Sequence, residues 1–401
     1  MKDIQPEWID AICPFCSCLC DDLKLRIEGN HPLEIYPACT RAEDAYKSCS
    51  SIDILPQVDN VNHEWDRAIH IAAEKISAAH LPVVLLGRFV SREICTCAID
   101  LAWTISGCAD VITTGLKPDF HWMTETGIQT CSIGEMREKA GVVVLWGISL
   151  LNTHPRFWDR YITSGKKKDI IAINSSLPRQ LDLPAINFDT HQLVEIIVNL
   201  RLALKGEKIE DAGIKELLDH LKKSNFTVFL LGEQFFKQDA VSLTEIQFLI
   251  KDLEKLTASR CFSTLIKEDP DQQCGQAAML GWAGVPGSIK LDPLKIDFSP
   301  SEYSIDHLLQ KRCTDLLVCI GEPTGLGVDY INKKEKFDMI LIGPRKSSCA
   351  PSIWLPSGQI GWDDEGTIYN LDDLPVCVPS IIPSIQPSMT SILQKLKDYV
   401  A

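Results

Sequence analysis

Six apolar runs recur along this chain, several of them stopping at a glycine: Pro82 to Gly87, Gly141 to Gly147, Asp169 to Ile173, Thr227 to Gly232, Leu316 to Gly321 and Met339 to Gly343. Strands buried on both faces read as unbroken apolar runs of this kind. Segments with helical spacing lie between several of them, at 66–76, 91–106, 191–204, 212–223, 241–257 and 304–312, and a last one follows at 389–399. Strand-then-helix units of this length predict parallel sheets covered by helices on both faces, with loops presented at the carboxyl ends of the strands. No G-x-G-x-x-G follows any of these strands, so a simple dinucleotide-binding domain is not supported. Residues 1–57 differ: short alternating segments such as Leu23 to Ile27 and the turn Glu28-Gly29-Asn30 read as a small β-rich unit. The expected domains are therefore 1–57, a discontinuous α/β domain of 58–135 with 276–401, and a second α/β domain of 136–275.

The chain has 401 residues, 45% of them hydrophobic, enough for two or three packed domains. Its net charge of −14 argues against nucleic acid as a partner, because phosphate neutralisation needs a basic face. The run Lys166-Lys167-Lys168 reads as a solvated turn. MKDIQPEWID lacks the apolar core of a signal peptide, and no apolar stretch reaches the roughly 18 residues that a membrane span requires. A cytoplasmic location with no membrane partner is the expectation. In a reducing compartment 16 cysteines do not form a disulfide framework. Cys95, Cys97, Cys108, Cys261, Cys313, Cys319 and Cys377 lie in apolar segments and read as small buried residues.

CPFCSCLCDD, residues 13–22, is different in density and spacing. Cys13, Cys16, Cys20 and Cys39 follow C-x2-C-x3-C-x18-C. Three thiolates on one tight loop with a fourth from elsewhere suit a [4Fe–4S] cluster. Zinc accepts four thiolates too, but its structural sites usually arrive as two C-x2-4-C pairs. A site that keeps only its thiols is the third reading. Cys18 reads as a bystander, and Cys49 as a substitute for Cys39 should the loop fold differently.

CPFCSCLCDD followed by PACTRAEDAY resembles the N-terminal iron–sulfur domain of molybdenum- or tungsten-pterin oxidoreductases, most of all the B subunit of formylmethanofuran dehydrogenase. GEMREKAGVVVLWGISLLNTHPRFWDRY, FSPSEYSIDHLLQKRCTDLLVCIG and PSGQIGWDDEGTIYNLDDLPV carry the similarity through the middle and the last third. The resemblance implies an α/β chain: a small β-rich iron–sulfur-type domain, then two Rossmann-like doubly wound α/β domains, without a C-terminal β-barrel. It also implies that the loop of His154 and Arg156 lies close to the family's cofactor. For His154 itself, holding the strand-end turn is the favoured reading, with Arg156 holding an anion beside it. Trp146 reads as packing, and His121 and Trp122 as packing or as filling the space of a pterin.

The departures from the family bear on function. Matched on Asp110, ADVITTGLKPDF places Leu116 where the family has its metal-ligating cysteine or selenocysteine, and Lys117 where a histidine follows. Leucine cannot coordinate a metal, and a lysine ammonium has no lone pair to offer. In the region of the family's arginine-glycine-histidine element stand Glu268 and Asp269, and no arginine lies between Arg260 and Arg312. Carboxylates repel pterin pyrophosphates. A buried salt bridge of Lys117 with Glu268 or Asp269 is the hypothesis for what replaces the metal. A Mo/W-bis-pterin is thus expected to be absent. The corresponding chain of the bacterial formyltransferase/hydrolase complex is a relative that fits. The similarity implies A, C and D subunits as partners, and a non-redox structural role in moving a formyl group from tetrahydromethanopterin to methanofuran and releasing it as formate. The alternative is an active Mo/W-pterin formylmethanofuran dehydrogenase. No Ser-His-Asp, Cys-His or H-E-x-x-H arrangement supplies hydrolytic chemistry in this chain.

Overall fold

The computed structural model describes residues 8–49, 53–112, 127–148, 153–175, 185–189, 192–232, 235, 240–266, 273–323, 337–346 and 350–401. It divides into two compact units, one of residues 1–114 with 269–401 and one of 115–268. The fold is mixed α/β with parallel sheets, as the apolar runs predict.

The first unit opens with β1 (Trp8–Ala11), the cysteine loop, β2 (Leu23–Glu28) and β3 (His31–Tyr36), which form a three-stranded antiparallel sheet. Helix α1 (Thr40–Lys47) follows, a helix the sequence pattern does not announce. The short β4 (Gln57–Val58) and β5 (Val61–Asn62) lead to α2 (Trp65–Ala78), β6 (Pro82–Leu86), α3 (Arg92–Thr104) and β7 (Cys108–Val111). Alanines and isoleucines at helical spacing, Ala68, Ile69, Ala72, Ala73 and Ile76, give α2 one buried face.

The second unit holds α4 (Ile133–Lys139), β8 (Val142–Trp146), a π-helical turn at Trp158–Ile162, β9 (Asp169–Ile173) and β10 (Ala185–Ile186). It continues with α5 (Leu193–Leu204), α6 (Ala212–Lys223), β11 (Phe226–Leu231), α7 (Ala240–Leu256) and β12 (Arg260–Leu265). Its sheet runs β10-β9-β8-β11-β12, every pair parallel. Counted along the unit, that is the order 3-2-1-4-5 of doubly wound sheets, whose ligand crevice lies beyond the carboxyl ends of the central strands. There Gly232 approaches Gly147 so closely that a Cβ would stand 1.9 Å from the Gly147 carbonyl oxygen. Only glycine fits.

The lysine run forms the expected exposed turn, with Lys166 and Lys167 exposed and Lys168 half-buried. Lys168 Nζ donates to the carbonyls of Ile162 and Ser164, each at 2.9 Å, at the end of the π-helical turn. Lys166 Nζ donates to Lys139 O at 3.1 Å, at the end of α4. Both ammonium groups meet carbonyls that a helix end leaves without intrahelical partners.

The chain then returns to the first unit with α8 (Gln273–Ala283), β13 (Ile289–Asp292), β14 (Lys295–Phe298), α9 (Pro300–Tyr303), α10 (Ile305–Gln310), β15 (Leu316–Ile320) and β16 (Asp338–Gly343). After β17 (Ile353–Pro356) come the hairpin β18 (Gly366–Tyr369) and β19 (Pro375–Val378), and then α11 (Met389–Val400). The nine-stranded sheet runs β14-β13-β7-β6-β15-β16-β17-β4-β5. Its five central strands are parallel, and antiparallel strands close each side. Asp110 is fully buried on β7: it accepts from Ser288 N at 2.7 Å and Ile305 N at 2.8 Å, fixing the starts of β13 and α10 to the sheet. Cys313 and Cys377, expected to be buried, are exposed and Cys97 is half-buried; Cys95, Cys108, Cys261 and Cys319 are buried. Cys313 sits past the end of α10 and Cys377 on the two-stranded hairpin, so an apolar neighbourhood in sequence did not bring burial.

Helix α3 is tied to the hairpin by one carboxylate. Glu93 Oε2 accepts from Thr367 N at 2.9 Å. Burial raises the Glu93 carboxyl, but hydrogen bonds from Thr367 and Ser91 outweigh it and hold the group near pH 2, below its ordinary 4.5. A depressed folded value means the contribution is complete above pH 4.5 and is lost as pH falls towards 2. With the side chain 40% exposed, solvent screening leaves about 1 kcal/mol. Urea midpoints at pH 7 and pH 3 should therefore fall further for the native chain than for Glu93→Gln. Equal falls in the two would refute the assignment.

Candidate metal centre at the cysteine loop

Loop 13–20 is held from four sides. Cys13 N donates to Cys20 O at 2.9 Å, closing it on itself. Phe15 is buried, with its ring edge-on to Tyr46 at 4.8 Å and to Phe89 at 5.6 Å. Leu19, with φ at +41°, turns its side chain into the main core of the unit. The C-terminal region supplies the fourth: Leu371 N donates to Ser17 O at 3.0 Å, and Gly361 packs on Pro14, where a Cβ would stand 2.7 Å from the proline ring.

This frame buries Cys13, Cys16, Cys18 and Cys20, none of them in a disulfide. Cys39 arrives as the N-cap of α1, its Sγ accepting from Ala42 N at 3.5 Å. Burial pushes the Cys13 thiol well above its ordinary range; the charge of Cys16 adds to this, the Phe15 amide opposes it, and Cys20 and Cys39 add the rest. The four cysteines singled out by spacing are thus electrostatic neighbours, and a metal's positive charge would remove the repulsion among their thiolates.

Cys49 stands elsewhere. Its Sγ donates to Ala45 O at 3.3 Å and lies 3.9 Å from Arg345 Nη2, and burial outweighs that guanidinium to push the thiol up to about 12. It lines a cavity of about 200 Å³ together with Arg345, Trp354 and Trp362. Arg345 is itself paired with Glu322 at 3.2 Å.

Among the described residues no three His, Cys, Asp or Glu side chains surround one ion position. Zinc holding thiolates at about 2.3 Å would draw the sulfurs to within about 3.8 Å of one another. A cubane cluster gives each thiolate its own iron and spaces them more widely. Burial, and then the charges of Cys13 and Cys49, push the Tyr46 hydroxyl up, and it is buried with no hydrogen-bond partner among the described protein groups. By their chemistry and spacing, Cys13, Cys16, Cys20 and Cys39 are the thiols that a [4Fe–4S] cluster would take. Tyr46 escaped the sequence reading, although it lies seven residues after Cys39 and so on the same face of α1.

His154 and Arg156 belong to the other unit. His154 is buried, its Nδ1 2.9 Å from Thr153 Oγ1, and its carbonyl accepts from Phe157 N at 2.9 Å, within a turn after β8. Trp146 is a core residue, edge-on to Phe235 at 5.4 Å. Leu116, Lys117, His121, Trp122, Glu268 and Asp269 lie outside the described residues.

No family model matches the chain. Two curated proteins are similar to it, each named as the B subunit of a tungsten-containing formylmethanofuran dehydrogenase 2. That of Methanocaldococcus jannaschii is 22% identical and that of Methanococcus maripaludis 23% identical, with 93% of both chains covered in each case. Among solved structures, the fold matches a chain of the formyltransferase/hydrolase complex (FhcABCD) from Methylorubrum extorquens, determined in complex with methylofuran. The TM-score is 0.70 at 16% identity, covering 86% of this chain and 98% of that one. No helix among the described residues is long and apolar enough to cross a membrane. Similar over 93% of its length to two such proteins, the chain is a homologue of the formylmethanofuran dehydrogenase B subunit.

Proposed function

We propose that this chain is a non-redox structural component of a formyltransferase/hydrolase complex in tetrahydromethanopterin-linked one-carbon metabolism. Its partners would be A, C and D subunits, which transfer the formyl group to a methanofuran-type carrier and release it as formate. The observation that carries the reading is in the sequence. The stretch matching the family's metal loop has Leu116 and Lys117, and no cysteine lies between Cys108 and Cys131. Without a thiolate there, the chain lacks the side chain through which the family ligates molybdenum or tungsten. The architecture that the neighbouring complex uses is kept.

Cys13, Cys16, Cys20 and Cys39 would hold a [4Fe–4S] cluster. When bound, such a cluster supplies one-electron chemistry or simply a rigid covalent clip. The chain's own residues would bury it and close the loop over it. The rival, a catalytic chain of a tungsten or molybdenum dehydrogenase, is favoured by the names of the two curated relatives.

Elemental analysis of the anaerobically purified native complex separates the readings. About four Fe per chain without Mo or W is the expected result. Tungsten or molybdenum near one per chain would restore the dehydrogenase, and zinc alone would make the loop a structural clip. Co-purification of hydrolase-like and formyltransferase subunits is expected alongside. Isolation of the native chain with none of them would count against the assembly role.

A further inference from the structure

We propose that β14, the outer strand of the nine-stranded sheet, pairs with β14 of a second copy of this chain, joining the two sheets about a two-fold axis at Ile296. The inference is independent of the cysteine loop and of the partner subunits proposed above. Among the described residues no strand lies beyond β14, and β13 is its one strand neighbour. Ser299 N donates to Ser288 O at 3.2 Å, which makes Ser288 and Ser299 a hydrogen-bonded pair of the antiparallel ladder. Such pairs alternate with pairs that are not bonded. Ile296 and Phe298, opposite Leu291 and Ile289, therefore turn their own N–H and C=O groups away from β13 and along the sheet's outer edge.

Every second side chain along this edge is apolar. Leu294, in the turn before β14, is 94% exposed, and Ile296 and Phe298 are each 37% exposed. Cross-strand partners share a face, so Ile296 and Phe298 stand beside Leu291 and Ile289, which are fully buried in the main core of the unit. The apolar face of the core thus runs on past β13 to the edge of the sheet. Natural edges are guarded by a lysine, a proline or a bulge. Here the one lysine of β14, Lys295, is matched by Asp297 at 2.7 Å, two residues on along the same strand.

The occupant follows from Leu294-Lys295-Ile296-Asp297-Phe298, a stretch complementary to its own reverse. With two copies antiparallel and Ile296 facing Ile296, Lys295 stands opposite Asp297 of the second copy, and Leu294 opposite its Phe298. Apolar groups then meet apolar groups on one face, and charges of opposite sign meet on the other. A slip of one residue in either direction sets Ile296 against Asp297 or Lys295, so the register is specified. The pair at the axis is one whose backbone groups point outward, and the two isoleucines exchange both N–H···O bonds. The same patch serves both copies, so the contact closes as a dimer and does not propagate.

The test uses the full chain, followed by sedimentation equilibrium over a concentration series. The native chain should pass from one to two copies per particle as its concentration rises. Lys295→Asp or Asp297→Lys alone sets like charges opposite each other on both sides of the axis, and each should weaken the dimer about tenfold. Both changes in one chain restore opposite signs, and the dimer should return. Mixing the two single variants should give dimers with one copy of each, because their altered charges match across the axis. Recovery in these two cases shows that the single variants fail at the interface and not in folding. A native chain that stays single at every concentration overturns the inference, and so does a dimer indifferent to these changes. A chain that is single alone but loses another subunit on Ile296→Lys also overturns it, because the edge then takes a strand from a different protein.

Discussion

Asp110→Ala is expected to destabilise the chain by about 3–5 kcal/mol. The carboxylate is fully buried and accepts from Ser288 N at 2.7 Å, Ser288 Oγ at 3.3 Å and Ile305 N at 2.8 Å. Alanine leaves both amides without an acceptor, at about 1–3 kcal/mol each. Asp110→Asn keeps one acceptor oxygen and should lose roughly half as much. Urea unfolding of the three chains checks the order. An alanine variant within about 1 kcal/mol of native would show that ordered water satisfies these amides, and that Asp110 is not the clamp between β7, β13 and α10.

Phe15→Ala should cost about 3–5 kcal/mol, the range for truncating a buried aromatic side chain. The loss should also be visible locally. Phe15 joins the cysteine loop to Tyr46 and Phe89, so its removal should open the loop before the sheet unfolds. Under native conditions a thiol reagent should label the exposed Cys313 and Cys377 quickly in the native apo chain. In the variant, Cys13, Cys16, Cys18 and Cys20 should join them. An unchanged labelling pattern would mean that Leu19 and the C-terminal contacts hold the loop without Phe15.

What was legible in the sequence follows from burial. The runs that became β6, β8, β11, β15 and β16 are buried on both faces, so nothing polar interrupts them. β12 was missed because it is built differently. Its Ser263 is buried yet satisfied by Gln247 Nε2 at 2.8 Å, a bond from the preceding helix α7 that no local pattern reveals. β7 was missed because it is four residues long and carries Asp110, a charge whose partners lie far along the chain. At the site, spacing singled out Cys13, Cys16, Cys20 and Cys39. The separation of Cys49 from them is visible only in three dimensions, through Arg345 and the neighbouring cavity. Tyr46 was hidden for the same reason: a tyrosine on a helix is ordinary until its hydroxyl proves to have no partner.

The cysteine loop is finished by segments from the other end of the chain. Leu371 closes on Ser17, Gly361 on Pro14 and Trp362 against Tyr46. At ordinary elongation rates a ribosome delivers those segments roughly 20–70 s after Cys13 emerges. During that interval the nascent chain presents four closely spaced thiols with no wall around them. Any metal delivered then would meet an open, oxidisable loop, so a cluster, if this loop takes one, would last only when assembled as translation nears completion.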